Sequence, residues 1–324
     1  MRPTVVITGV GLAVTGLPED ADLLTADFRA PIPALDLGGR HMRHKDRASR
    51  LALLAVERAL TDAGLPLDPA ESSGTTATVV SSNYGNLDSV CEFTDRIAEQ
   101  TTIALSPLGL PHVSSNAIAG WIAIRHGLRG PNLTLCSGRT GGTDALHWAA
   151  TLIRAGRADK AVVVGVEPDT EPVRRLLDIV AGQPILDGAA ALILEADTDA
   201  LRRPATVRAV VGSCSRTDDI DAVVAEVRGA ARWLTPPGLP ADIESPVPAT
   251  DPTRRFGECS GALGVLQAAA AVAHLDRGDP RAVYATCGRP GGEFVTVRLD
   301  PPPATTSRPV HAGRAEYDRE LEEP

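Results

Sequence analysis

The stretch that decides the fold runs Ile124-Arg125-His126-Gly127-Leu128-Arg129-Gly130-Pro131-Asn132-Leu133-Thr134-Leu135-Cys136-Ser137-Gly138-Arg139-Thr140-Gly141-Gly142-Thr143-Asp144-Ala145-Leu146. It reads as a helix end, a glycine turn, a short strand, and a glycine-rich corner that opens a second helix. Such a corner places one side chain at a helix N-terminus, where free N–H groups and the dipole can lower a thiol's pKa. Upstream, residues 3–8 are a short β-branched strand closed by Gly9 and Gly11, which read as a turn. Arg47 to Gly64 carries Leu51, Leu53, Leu54, Val56, Leu60 and Ala63 at helical spacing. Strand patterns follow at 75–82, 160–166 and 189–195, with helices at 87–100, 116–126 and 143–155. Downstream comes a shorter echo: a strand at 205–212, a helix at 220–234, a proline-rich loop at 235–255, an alanine-rich helix at 260–275, and strands at 282–286 and 293–299. Strands alternating with helices predict a mostly parallel α/β sheet covered on both faces. The echo predicts two fused units, at residues 1–200 and 201–300. From residue 301 the proline-rich, aperiodic sequence predicts a disordered tail to 324.

The chain has 324 residues, enough for a real core. Its 32 basic residues are outweighed by 41 acidic ones, for a net charge of −9, and aromatics are 3%. Both figures argue against nucleic-acid binding. No apolar run has the length of a membrane span, and the start does not read as a signal peptide. The five cysteines, Cys91, Cys136, Cys214, Cys259 and Cys287, form no CxxC pair. An odd count without an export signal reads as reduced and cytoplasmic. Gly9-Val10-Gly11 invites a dinucleotide reading, but Val14 stands where the third glycine of that fingerprint belongs. No Walker loop, HExxH or metal-spaced cluster is present, so neither cofactor nor metal is expected.

The 124–146 segment resembles the β-ketoacyl synthases of the thiolase superfamily. More closely it is similar to the paired subunits of type II polyketide synthases. Thr4–Gly11, Leu51–Leu60, Phe256-Gly257-Glu258-Cys259-Ser260-Gly261 and Gly288-Arg289-Pro290-Gly291-Gly292 support it in the same order along the chain. The resemblance implies a thiolase-like fold: two pseudo-repeated α/β halves in an α-β-α-β-α arrangement, here with shortened loops. It also implies a reaction. A condensing enzyme carries its acyl chain on a cysteine and uses two histidines for malonyl decarboxylation and the oxyanion. Arg139 stands at the nucleophile's position and Glu258 at the second histidine's. After His147 the chain has only His274 and His311. A guanidinium stays protonated and cannot be that nucleophile.

The resemblance therefore points to the chain length factor, the non-catalytic ketosynthase beta subunit. That family pairs with an active ketosynthase as a heterodimer, takes the growing polyketide from the partner's cysteine into a tunnel at the shared interface, and limits its length there; an acyl carrier protein is the further partner this implies. Glutamine is usual at the nucleophile position there, so Arg139 departs from the pattern. The opposite charges of Arg139 and Glu258 suggest an ion pair filling the vacant pocket, the alternative being that each points to solvent or to a partner chain. His112, Val113, Ser114, Ser115, Asn116 and Trp121 are the tunnel or interface candidates, the bland reading being a helix start capped by Ser115 or Asn116. The compact sequence leans toward a polyene rather than an aromatic product. Arg40, Arg43, Lys45, Arg47 and Arg50 form the densest basic cluster that could face an acidic carrier protein. Two rivals remain: an acyltransferase using Cys136, Cys214 or Cys259, and a homodimeric carrier-protein decoy.

Overall fold

The structure is a computed structural model. It describes residues 3–18, 23–24, 35–39, 42, 45–70, 74–180 and 182–303. Residues 304–324, and with them most of the expected tail, lie outside that description, as do Arg40 and Arg43.

The first strand corrects the expectation of a turn at Gly9. β1 (Val5–Val14) runs straight through both glycines, with a register shift between Ile7 and Gly9. They are glycine because helix α1 (Arg47–Asp62) lies directly on them. A Cβ on Gly9 would sit 2.7 Å from the Ala63 Cβ, and one on Gly11 would strike the Ala55 carbonyl oxygen. α1 starts at Asp46, whose side chain accepts the Ser49 amide at 2.6 Å. It buries Leu51, Ala52, Ala55, Val56 and Ala59.

The rest of the first half follows in order: β2 (Thr76–Ser81), α2 (Leu87–Gln100), α3 (Ala117–His126), β3 (Asn132–Leu135), α4 (Gly141–Arg154), β4 (Lys160–Glu167), α5 (Glu171–Leu176), β5 (Gly188–Ala196) and α6 (Asp197–Arg202). The second half holds β6 (Ala209–Thr217), α7 (Ile220–Glu226), β7 (Arg232–Leu234), β8 (Ala249–Thr250), α8 (Thr253–Phe256), α9 (Leu263–Leu275), β9 (Val283–Gly288) and β10 (Phe294–Asp300).

The strands form one sheet in the order β3-β2-β4-β5-β1-β6-β10-β9-β7-β8. Read outward from the central β1–β6 pair, the two sides repeat each other strand for strand and sense for sense. β2 pairs in parallel with β3 and β4, as β7 does with β8 and β9. The pairs β4–β5, β5–β1, β1–β6, β6–β10 and β10–β9 are antiparallel. The sheet is therefore mixed, not mostly parallel. Alternation of strand and helix in the sequence does not reveal which strand later inserts between earlier ones.

The helix expected at 220–234 is also shorter. α7 ends at Glu226, and Trp233 lies on β7, donating its Nε1–H to the Thr286 hydroxyl at 2.9 Å. A short apolar run such as Ala230–Leu234 has no periodicity that separates strand from helix. The 235–255 loop holds β8 and α8.

Five layers result. α1 and α3 cover the outer face of the first half through Leu51, Val56, Ile118 and Ile122. α7 covers the second, Val223 and the following Val227 packing on Trp233 of β7 and Phe294 of β10. Between the two halves lie α4 and α9, whose Ala145, Leu146, Ala149, Val265, Leu266 and Ala269 form the largest core with both parts of the sheet. α4 and α9 approach through glycine: a Cβ on Gly142 would be 2.6 Å from the Gly264 amide nitrogen, and one on Gly264 would strike the Thr143 amide nitrogen. Their N-termini meet beside the C-terminal ends of β2, β3 and β4. That junction is the candidate site.

Candidate functional site

The glycine corner sits where the sequence places it. Cys136 and Ser137 follow β3, Gly138–Thr140 make one 3₁₀ turn, and α4 begins at Gly141. Gly138 has φ +69°, a conformation that suits glycine. The Asn83 amide pairs with both sides of Gly138, accepting its N–H and donating to its carbonyl, each at 3.1 Å. Arg139 then reaches across to the second half. Its Nη2 donates to Glu258 Oε2 at 2.8 Å, so the predicted ion pair is present. The other carboxylate oxygen of Glu258 accepts the Ser260 amide at 2.8 Å. Ser260, with φ +40°, takes a hydrogen bond from Asn83 Nδ2 at 2.7 Å. The circuit Gly138–Arg139–Glu258–Ser260–Asn83 closes on itself, and the corner's polar groups are spent on one another. Arg139 and Glu258 keep 41% and 24% of their side-chain exposure, so water screens the pair.

Beneath this circuit lies Glu167, the last residue of β4, 1% exposed. Its Oε1 accepts the amides of Asn83 (2.8 Å) and Gly261 (3.1 Å). Its Oε2 accepts the Tyr84 amide (3.1 Å) and the Ser82 hydroxyl (3.2 Å). Burial pushes its pKa up to about 7 against the pull of those four donors. The sequence reading missed Glu167. Its signal was a carboxylate closing the apolar run Ala161–Val166, a position that water does not reach.

The thiols are not poised for acyl transfer. Cys136 is exposed, and its pKa is raised by desolvation and then by the Glu167 charge. Burial raises Cys214 to about 11. Cys259 and Cys287 are fully buried and also pushed up. A nucleophilic cysteine needs the opposite shift. His274 sits near the far end of α9, 3.5 Å from Asp279, and His147 points to solvent from α4. Among the described residues, no three His, Cys, Asp or Glu side chains gather to hold a metal ion.

The tunnel candidates divide. His112 and Trp121 come together, ring centroids 5.2 Å apart, with Lys45 Nζ 4.1 Å from the Trp121 centroid. The Trp121 Nε1 and His112 Nδ1 are buried without a hydrogen-bond partner. Ser114, Ser115 and Asn116 are exposed at the start of α3. Asn116 holds the cap position, but its side chain accepts from the Ser114 hydroxyl at 2.6 Å and makes no cap bond. The Val113 carbonyl accepts from Asn86 Nδ2 at 2.8 Å. The described members of the basic cluster turn inward. Arg47 binds Asp187, Arg50 binds the Lys45 carbonyl, and Lys45 covers Trp121.

Residues 33–177 match the family described as "Beta-ketoacyl synthase, N-terminal domain". That segment, under half of the chain, is similar to the family's N-terminal domain. It contains the glycine corner, Arg139 and Glu167. Among curated relatives, 3-oxoacyl-[acyl-carrier-protein] synthase 2 of Rhizobium meliloti (strain 1021) is 32% identical over 116 residues, 36% of this chain and 28% of that protein. The tetracenomycin polyketide synthase ketoacyl synthase beta subunit of Streptomyces glaucescens is 30% identical over 169 residues, 50% of this chain and 38% of its own. The matches to the first curated relatives span 28% to 31% of those proteins' length. Among solved structures, the ishigamide ketosynthase/chain length factor superposes with a TM-score of 0.72 at 24% identity, over 92% of this chain and 99% of that one. A type II polyketide synthase acyl-carrier protein in complex with its ketosynthase bound to the hexaketide gives 0.75 at 16%, over 93% and 100%. The fold is thus thiolase-like, and nearly the full length of those neighbours superposes on this chain.

Proposed function

We propose that this chain is a non-catalytic chain length factor. It pairs with an active ketosynthase and shapes the tunnel into which a polyketide grows. One observation carries the reading: at the corner where a condensing enzyme needs a thiolate stands a guanidinium, bound to Glu258. The raised thiol pKa values favour it over the acyltransferase rival. The relatives' printed names, a ketoacyl synthase beta subunit and a ketosynthase/chain length factor, point the same way.

Surface chemistry supports pairing. β3 is the end strand of the sheet, and α3 and α4 pack beside it. Ile124 on α3 is 71% exposed and Trp148 on α4 47%. α2 buries no residue, and Ile103, just beyond it, is 92% exposed. An open strand edge flanked by large apolar side chains is a surface that a partner covers. On this reading the ketosynthase supplies the cysteine and its edge strand meets β3, while the acyl carrier protein delivers the chain to the ketosynthase. The palindromic strand order supports taking residues 1–200 and 201–300 as the two units of a duplication. Among the described residues, no helix is long and apolar enough to cross a membrane.

Size-exclusion chromatography with light scattering tests the pairing, run on the chain alone and mixed with a type II ketosynthase alpha subunit. A one-to-one complex supports it. A tight homodimer indifferent to the ketosynthase supports the carrier-protein decoy.

A further inference from the structure

Glu167 is a buried carboxylate whose four partners among the described residues are neutral donors. Three come from the corner after β2 and one from the turn before α9, so a single side chain joins the two halves at the site's floor. A carboxylate suits this place because its two oxygens accept all four bonds. A glutamine there would aim an NH₂ at an N–H. Protonation is tolerated at one oxygen in particular. The Ser82 hydroxyl on Oε2 can reverse and accept a new O–H, which leaves the Tyr84 amide with a weaker acceptor while Asn83 and Gly261 keep theirs.

The corner does not end at Tyr84. A Cβ on Gly85 would lie 2.5 Å from Ile118 Cδ1 and 2.6 Å from Ser82 Oγ, so this turn packs directly against the Ile118 side chain of α3. Asn86 then holds the Val113 carbonyl. Asp88, in the first turn of α2, accepts the Thr170 hydroxyl at 2.6 Å. Movement at residues 82–84 therefore reaches α2 and the Pro107–Val113 turn.

We propose that Glu167 is a proton-responsive positioning residue: its carboxylate sets how the Ser82–Tyr84 corner seats against Gly261, and so where α2 and the Pro107–Val113 turn are presented to the ketosynthase. The last clause rests on the pairing reading above; the seating does not. The raised pKa puts the change in the neutral range. Among the described residues, these titratable groups bear on Glu167. Cys136 faces it from the end of β3, and Glu258 and Cys259 from the turn before α9. The corner contributes only the Tyr84 phenol, and its partner on β5 is Gly188. Both thiols stay neutral between pH 5 and 8 because their pKa values are raised, and Glu258 is ion-paired with Arg139.

The test is a ¹H–¹⁵N titration of the full chain from pH 5 to 8. The Asn83, Tyr84 and Gly261 amides are expected to shift with one shared midpoint near 7. Glu167→Gln should abolish that titration. Ser82→Ala, which removes one stabilising donor and serves if Glu167→Gln does not fold, should raise the midpoint. Amides that stay flat, move with separate midpoints, or titrate unchanged in the variants overturn the proposal. Affinity for a ketosynthase alpha subunit, measured at pH 6 and pH 8, is expected to change about fivefold, the lower end of ordinary coupling, and to become flat in Glu167→Gln. Pairing that ignores pH while the amides titrate overturns the link to the interface. Absence of pairing at every pH overturns the pairing reading and leaves the amide titration to decide Glu167.

Discussion

Removing Arg139 and Glu258 singly and together tests whether the vacant pocket is filled by an ion pair. The bond is 2.8 Å long, but the arginine is 41% exposed. Solvent screening therefore holds the coupling to about 0.5 kcal/mol, within the range of exposed pairs. Glu258 does more than pair. Its Oε1 accepts the Ser260 amide, in a turn where Ser260 sits at φ +40°. A hydrogen bond to a charged acceptor adds about 1.5 kcal/mol. Arg139→Ala should then cost about 0.5 kcal/mol and Glu258→Ala about 2 kcal/mol, while the double variant should cost about 2 kcal/mol rather than their sum. Urea titration followed by circular dichroism measures all three. In about 1 M salt, where screening acts within a few ångströms, the Arg139→Ala cost should vanish and most of the Glu258→Ala cost should remain. Two equal single costs that add in the double variant would refute the pairing.

Glu167 links stability to pH. A folded pKa of about 7 against an unfolded value of 4.5 means its contribution is fully present below pH 4.5 and is lost as pH rises through 7. The shift corresponds to about 3 kcal/mol. The stability of wild type minus that of Glu167→Gln should fall by about this amount across the window, and parallel curves would show that Glu167 does not titrate there. Gly264→Ala places a methyl group against the Thr143 backbone where α4 and α9 meet, with no flexible neighbour to yield. A loss of about 2–3 kcal/mol is expected in a thermal melt, and an unchanged melting temperature would mean the helices can separate freely. Under iodoacetamide at neutral pH, Cys259 and Cys287 should stay unmodified in the folded chain, and Cys136 should react no faster than a free thiol. Rapid, selective modification of Cys136 would revive the acyltransferase reading.

The parts of the fold that were legible in the sequence are those written in local patterns. The Leu51–Leu60 stripe, the Gly127 stop after α3 and the glycine corner at 136–142 all have short-range signatures, and each element formed where expected. The Arg139–Glu258 pair was readable for another reason: two charges of opposite sign replaced residues that the resemblance places together. What failed depended on distant segments. Gly9 and Gly11 read as a turn because the helix that needs their missing side chains lies some fifty residues away. The antiparallel pairs arise because β5 returns to lie beside β1, which no window of sequence records. Glu167 and Asn83 went unnoticed because most of their partners are backbone groups, which carry no residue identity to read.

On the proposed function, this chain shapes a reaction whose chemistry occurs on another subunit. Intact-protein mass spectrometry tests it most directly. The chain, a type II ketosynthase alpha subunit and a malonyl-loaded acyl carrier protein are combined, each component also being omitted in turn. Acyl adducts are predicted on the ketosynthase alone, with elongated product formed only when this chain is present. An acyl adduct on this chain, or product formed by it without the ketosynthase, would mean that the chain performs the chemistry itself.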